Sequence, residues 1–114
     1  MITVYTNADF ISLNNDNITY SVMVVNGRSI AYVGYNTPMC YDNARVIDLG
    51  GKAVVPLVND MLGLNYRFAN CRVLAPGEKA DFAVIDKNIL KEQEDVKVLG
   101  VYVRGRKKMR INNY

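Results

Sequence analysis

Five cations lie within the last eleven residues of this 114-residue sequence and form its densest group of positively charged side chains. They are Arg104, Arg106, Lys107, Lys108 and Arg110. Together with Tyr102, they have the residue types with which single-strand binders neutralise phosphates and stack bases. The alternation around Gly105 is more typical of a terminal strand with a solvated face. A nucleic-acid-binding module is therefore kept only as the second alternative function.

Five carboxylate side chains are candidates for a general acid or a general base. They are Asp48 in "VIDLGG", Asp81 in "KADFAVID", and the crowded group Glu92, Glu94 and Asp95. An aspartate beside a turn more often hydrogen-bonds to the backbone than reacts with a substrate. The crowded group lies in a charged segment, where carboxylates are ordinarily solvated. Since none has a neighbouring base or metal ligand in the sequence, we predict no catalytic residue.

The sequence contains no histidine, which removes the commonest general base near neutral pH and every histidine-based metal centre. Cys40 and Cys71 are its only cysteines, too few for a closed zinc site, which takes four Cys or His ligands. We therefore predict no metal and no cofactor. Both cysteines are interpreted as buried free thiols. A disulfide between them stays open, although a reducing compartment argues against it.

The elements that position these residues are predicted to be β-strands, because apolar side chains recur with period two along most of the chain. The segment "ITYSVMVV" is followed by Asn26-Gly27, a dipeptide suited to a two-residue type I′ turn. With "RSIAYVG" as its partner, it predicts a hairpin over residues 18–34. About eight short strands separated by turn signals predict an all-β domain, a small sandwich or barrel with little helix.

The remaining strand predictions follow from the positions of glycine, proline and asparagine. "ITVYT" and "DFISL" predict two strands separated by Asn7-Ala8, and "RVIDLGG" and "KAVVP" predict two more around the Gly50-Gly51 bend. "PGEKADFAVID" predicts a Pro-Gly turn leading into a strand. "VKVLGVYVRGRKKMRI" predicts two closing strands joined near Gly105.

Composition predicts a folded chain that forms one domain, residues 1–114. Half of the residues are apolar, 22% are charged, and the net charge is +3. A chain of this length can bury a single core. No apolar run approaches the length of a membrane span, and no signal-peptide pattern opens the sequence. We expect no membrane association and a cytoplasmic location.

The order of these segments resembles the metal-dependent hydrolases of the amidohydrolase superfamily. The likeness rests on "NADFI", "VVNGRSIAYVG" and "RVIDLGGKAVVPLVND", then on "LAPGEKADFAVIDKN" and "VKVLGVYVRGRKK". It covers residues 4–60 and 74–108, and "PLVND" is most similar to the cytosine deaminase and chlorohydrolase-like branch. In that family the two end segments combine into one small β-sandwich. A catalytic (β/α)₈ barrel lies between them in sequence.

The departures from the family pattern fall where its metal site would be. Such a barrel takes about 250 residues, whereas Leu74 lies only 14 residues after Asp60. Met61-Leu62-Gly63 stand where the family has its first metal-binding histidines, the family's Pro-Gly is Pro56-Leu57, and "GRSI" has one residue more than the family's "GrI". The resemblance thus implies a sandwich without its barrel. Its parts are an N-terminal half, a short connection and a C-terminal half, at residues 1–60, 61–75 and 76–114.

The function expected from this resemblance is a non-catalytic domain with a structural or associative role. The apolar run "MLGLNYRF" (residues 61–68) suggests a homodimer through the surface that a barrel would cover. The alternative is an accessory subunit of a split hydrolase or deaminase acting on C–N bonds, with the barrel and its metal on a separate chain. The substrate of the parent protein and the origin of the missing barrel are left open.

Overall fold

The all-β class is confirmed by a computed structural model, which describes residues 1–13, 18–57, 72–91 and 96–110. The described residues contain seven strands, one short 3₁₀ turn and no α-helix. The strands are β1 (Ile2–Ile11), β2 (Thr19–Asn26), β3 (Ser29–Gly34), β4 (Arg45–Pro56), β5 (Phe82–Ile85), β6 (Val98–Val103) and β7 (Arg106–Arg110). The 3₁₀ turn is Met39–Tyr41.

All seven strands belong to one mixed sheet with the order β3-β2-β1-β4-β5-β6-β7. Neighbouring strands are antiparallel except for β1 and β4, which run parallel in the middle of the sheet. The pairing of β4 with β5 joins the N-terminal half of the chain directly to its C-terminal half, from Ala53 opposite Ile85 to Pro56 opposite Phe82. The two halves predicted from the sequence therefore share one hydrogen-bonded sheet.

The sheet bends sharply within β4, at Gly50 and Gly51. Ile47 pairs with Tyr5 and Pro56 pairs with Phe82, so a straight β4 would separate these two pairs by about 30 Å. The rings of Tyr5 and Phe82 nevertheless lie 5.6 Å apart, centroid to centroid. Both glycines have positive φ angles, 64° and 81°, which favour residues without a side chain. The bend makes the two halves of one sheet the two layers of a small sandwich.

Apolar side chains from six strands meet between these layers. The largest cluster includes Phe10, Met23, Ile30 and Phe82, each of which is buried. Phe82 stacks on Tyr102, with ring centroids 4.5 Å apart and planes 11° apart. A second cluster on the other side of β4 and β5 contains Ile11, Val55, Ile85 and Val101, among others.

The two ends of the bent sheet are tied together through Ala80. Its N–H donates to the carbonyl of Arg28 at 2.9 Å, and its carbonyl accepts from the N–H of Gly105, also at 2.9 Å. The β2–β3 turn and the β6–β7 turn therefore meet. The contact is close: a Cβ added to Gly105 would lie 2.3 Å from the carbonyl oxygen of Gly27. Only glycine fits at this position without displacing backbone.

The hairpin predicted over residues 18–34 is confirmed, but its turn differs by one residue. Asn26 pairs with Ser29, so the two loop residues are Gly27 and Arg28. Only Gly27 has a positive φ, 63°, whereas a type I′ turn needs positive φ at both loop positions. The prediction of a type I′ turn at Asn26-Gly27 was therefore wrong. The actual loop puts Arg28 at the tip of the turn.

In two places, two strands that were predicted separately form one continuous strand. "ITVYT" and "DFISL" form the single strand β1, in which Asn7 has a φ of 55° and the register with β2 shifts. "RVIDLGG" and "KAVVP" form β4, which continues through its bend. The extra residue in "GRSI" is absorbed by a further register shift, because Val24 pairs with Tyr32 while Val25 pairs with Ile30. Bulges of this kind keep the apolar face turned inward on both sides of the inserted residue.

Cys40 is exposed, which corrects its interpretation as a buried thiol. It lies in the 3₁₀ turn, which contains no buried residue. Cys71, the run 61–68 and the carboxylates Glu92, Glu94 and Asp95 lie outside the described residues. In the parts of the chain that the structure does describe, no helix has the length and apolarity needed to cross a membrane.

Candidate anion-binding groove

A groove of about 840 Å³ lies where the two turns meet. Its walls come from the β2–β3 turn, the start of β4 and the β6–β7 turn, and the side chains of Tyr5, Val25 and Tyr102 also line it. The charged side chains along it are Arg28, Arg45, Arg104, Arg106, Lys107 and Asp48. Five cations thus face one carboxylate in a concave surface, which concentrates positive potential there.

Arg104 is held in place by Asp81, whose side chain is fully buried. Asp81 Oδ1 accepts the backbone N–H of Arg104 at 2.7 Å, and Arg104 Nη1 lies 3.2 Å from Oδ2. A buried carboxylate needs a charged partner and hydrogen bonds, and Arg104 supplies both to Asp81. Asp81 therefore positions the β6–β7 turn and does not face the groove itself.

Asp48 is the carboxylate at the edge of the groove. Its Oδ1 accepts the N–H of Gly50 at 2.7 Å and the side-chain amide of Asn7 at 2.9 Å. The Gly50 hydrogen bond, followed by that from Asn7 and the nearby charge of Lys52, holds the pKa of Asp48 below its usual value. Asp48 is thus ionised at neutral pH and fixes the start of the β4 bend.

The aromatic rings in the groove are covered by other side chains. Tyr102 is 7% exposed, with one face stacked on Phe82 and the Nζ atom of Lys107 lying 5.9 Å from its ring centroid. Tyr5 is 3% exposed and meets Tyr102 edge to face, at 6.0 Å between centroids. Neither ring offers the open face on which a nucleic-acid base would stack. Tyr102 is therefore a core residue, not part of a stacking platform.

The basic cluster predicted from the sequence contributes only part of this groove. Arg104, Arg106 and Lys107 line it, whereas the exposed Lys108 does not. Arg28 and Arg45 were missed because they lie far from the cluster in sequence. Arg28 is brought to it by the hydrogen bonds of Ala80, and Arg45 by the pairing of β4 with β1. The one sequence signal that could have found Arg28 is its place in the "NGR" turn.

The side chains present do not fit the metal site of the resembled family. Met61, Leu62 and Gly63, at the positions of the first histidine ligands, offer no nitrogen or carboxylate donor. Among the described residues, no three His, Cys, Asp or Glu side chains come together in a way that could hold a metal ion. The prediction of no metal and no catalytic residue stays a prediction.

Comparisons with known proteins give only weak structural likeness. No family and no curated protein matches the sequence. An uncharacterized metal-dependent hydrolase from Pyrococcus furiosus aligns with 49% of this chain at 23% identity and a TM-score of 0.43. The aligned part spans 13% of that protein's length. At this level the likeness assigns neither a family nor an activity to the chain.

Proposed function

We propose that this chain is a non-catalytic β domain with a structural or associative role. The supporting observation is the β4–β5 pairing, through which residues on either side of the short connection complete one sheet and one core. In the resembled family the catalytic unit is inserted at this connection. The sequence has just 14 residues there, numbers 58–71, between the two described parts.

The strand ends that flank this connection are anchored side by side. The N–H of Leu57 donates to the carbonyl of Asp81 at 3.0 Å, and the N–H of Leu74 donates to the carbonyl of Ser12 at 3.1 Å. Ser12 follows β1 and Leu57 follows β4, and these two strands run parallel. The two stems therefore leave the same end of the sheet, which is the arrangement that an inserted barrel in the resembled family would require.

Metal analysis and mass measurement on the purified chain test this proposal. We expect a homogeneous species, a homodimer of the 12.8 kDa chain, without stoichiometric zinc, iron or manganese. We also expect no hydrolysis of amide, amidine or aminopyrimidine substrates with any of these metals added. Tightly bound metal at one equivalent, or metal-dependent turnover, would overturn the non-catalytic assignment. Co-purification with a larger barrel-containing chain would instead favour the accessory-subunit alternative.

A further inference from the structure

The groove is lined by more positively charged than negatively charged side chains. Five cations line it, and two carboxylates oppose them: Asp48 at its edge and Asp81, which pairs with Arg104. Three of these cations, Arg28, Arg45 and Arg106, form no ion pair within the described residues. Since clefts lined by one sign of charge focus the electric field, this excess attracts anions.

Three arginines in the groove are available to a ligand. Arg28, Arg45 and Arg106 are exposed, and within the described parts of the chain none of them forms an ion pair. They come from three separate elements, the β2–β3 turn, the first residue of β4 and the first residue of β7. Such convergence of distant arginines is not explained by the solvated face of one strand.

The backbone fixes the spacing of two of these arginines. The carbonyl of Arg28 accepts from Ala80, and the carbonyl of Ala80 accepts from Gly105, the residue before Arg106. Two hydrogen bonds through one residue therefore connect the β2–β3 turn to the β6–β7 turn. A ligand that bridges Arg28 and Arg106 would find their backbones already in position, which lowers the entropy cost of binding.

We propose that this groove binds a compact ligand carrying two phosphate groups. Arginine forks pair bidentately with phosphate oxygens, and phosphate is the anion for which several arginines are characteristic. One phosphate group carries about −1.5 to −2 at neutral pH, so two groups match the three positive charges of Arg28, Arg45 and Arg106. The groove volume, about 840 Å³, lies within the range of small-molecule sites. Because the rings of Tyr5 and Tyr102 are covered, the affinity comes from the phosphates and not from stacking.

Calorimetric titration of the full chain with inorganic pyrophosphate and with ADP at low salt tests this proposal. We expect saturable binding of one ligand per chain, with similar dissociation constants for both. Arg28→Gln and Arg106→Gln should each weaken binding about tenfold or more, because each removes charged hydrogen bonds. The matched control is Lys91→Gln, which removes the same charge from an exposed residue outside the groove. It should change the dissociation constant by less than about twofold, as expected for screened distant charges.

The possible results distinguish a phosphate site from a nucleic-acid surface and from the absence of a specific site. Similar dissociation constants for ADP and pyrophosphate, with the same arginine dependence, would support the site, whereas ADP binding much more tightly would overturn the assignment of the affinity to the phosphates alone. Absence of saturation by millimolar pyrophosphate, or equal weakening by Lys91→Gln and Arg28→Gln, would overturn it. A single-stranded oligonucleotide that outcompetes both small ligands through these arginines would also overturn it, in favour of a nucleic-acid surface. None of these outcomes depends on metal content or hydrolysis, so the inference stands or falls separately from the proposed function.

Discussion

At the scale of single residues, Asp81 shows how a buried charge can be structural. The carboxylate is fully buried yet has both the backbone N–H and the guanidinium of Arg104 as partners. Its role is to hold the β6–β7 turn against the start of β5. The sequence predicted a backbone hydrogen bond for this aspartate, and the N–H of Arg104 provides it. Its ion pair with Arg104 had no signal in the sequence.

Replacing Asp81 should therefore cost stability. Asp81→Ala leaves the Arg104 N–H without its acceptor and removes the ion pair, and we expect a loss of about 3 kcal/mol in the free energy of unfolding. Asp81→Asn keeps an oxygen acceptor and should cost less. Urea unfolding measures both, with Asp42→Ala, an exposed aspartate, as the control. A cost for Asp81→Ala equal to that of the control would contradict the structural role.

Asp48 predicts a specific pH dependence. Its pKa is lowered in the folded protein, first by the Gly50 N–H and then by Asn7. A carboxyl group of this kind stabilises the fold above its unfolded-state pKa of about 3.9, and the contribution is lost as the pH falls through the folded-state pKa. Asp48→Asn should therefore destabilise the protein at pH 7. The difference from the wild type should narrow as the pH falls below the unfolded-state pKa of about 3.9, as followed by urea unfolding; a constant difference would contradict the assignment.

At the scale of strands and turns, the contact between Gly27 and Gly105 closes the sheet. Both glycines have left-handed φ angles, 63° and 78°, but they differ in their surroundings. A Cβ at Gly27 would have no atom within 4 Å, whereas one at Gly105 would overlap the Gly27 carbonyl. The two positions therefore separate the cost of a left-handed φ from the cost of a collision.

Alanine substitutions at these glycines should reflect that difference. Gly27→Ala is expected to cost about 1 kcal/mol, the penalty of a left-handed conformation alone. Gly105→Ala should cost about 3 kcal/mol, because it adds overlap with backbone that must move. Thermal and urea unfolding of the two variants measure the difference in their free energies of unfolding. Equal costs would mean that the two turns do not meet as described.

Local patterns predict the hairpins but not the closure. The 18–34 hairpin and the closing pair β6–β7 follow from alternating apolar residues around a turn, and both are present. The continuity of β1 was not predicted, because Asn7 looks like a strand end in the sequence. At Gly50-Gly51 a bend or bulge was predicted, but β4 was divided there into two strands although the chain passes through as one. The groove was only partly predicted for a related reason. Its arginines are brought together by pairing across the sheet, which no local spacing records.

At the scale of the whole molecule, the connection between the two halves can be tested apart from the sheet. All seven described strands lie outside residues 58–71. We expect a Gly/Ser linker of the same length to preserve the fold, since loop-closure entropy depends mainly on length. If the apolar run 61–68 forms the proposed dimer contact, the same change should convert the dimer to a monomer. Retained dimer mass would reject that contact, and loss of the folded NMR spectrum would show that the segment supports the core.

Because Ala80 and Gly105 lie in the C-terminal half, the two turns can join only after that half has been synthesised. Strands β1 to β3 leave the ribosome first, with Phe10, Met23 and Ile30 on the face that the second layer will cover. Phe82 and Tyr102, which cover that face, are translated many residues later. Until then, the N-terminal half exposes this apolar surface, a state prone to aggregation. We expect nascent chains stalled before β5 to recruit chaperones and full-length chains to release them.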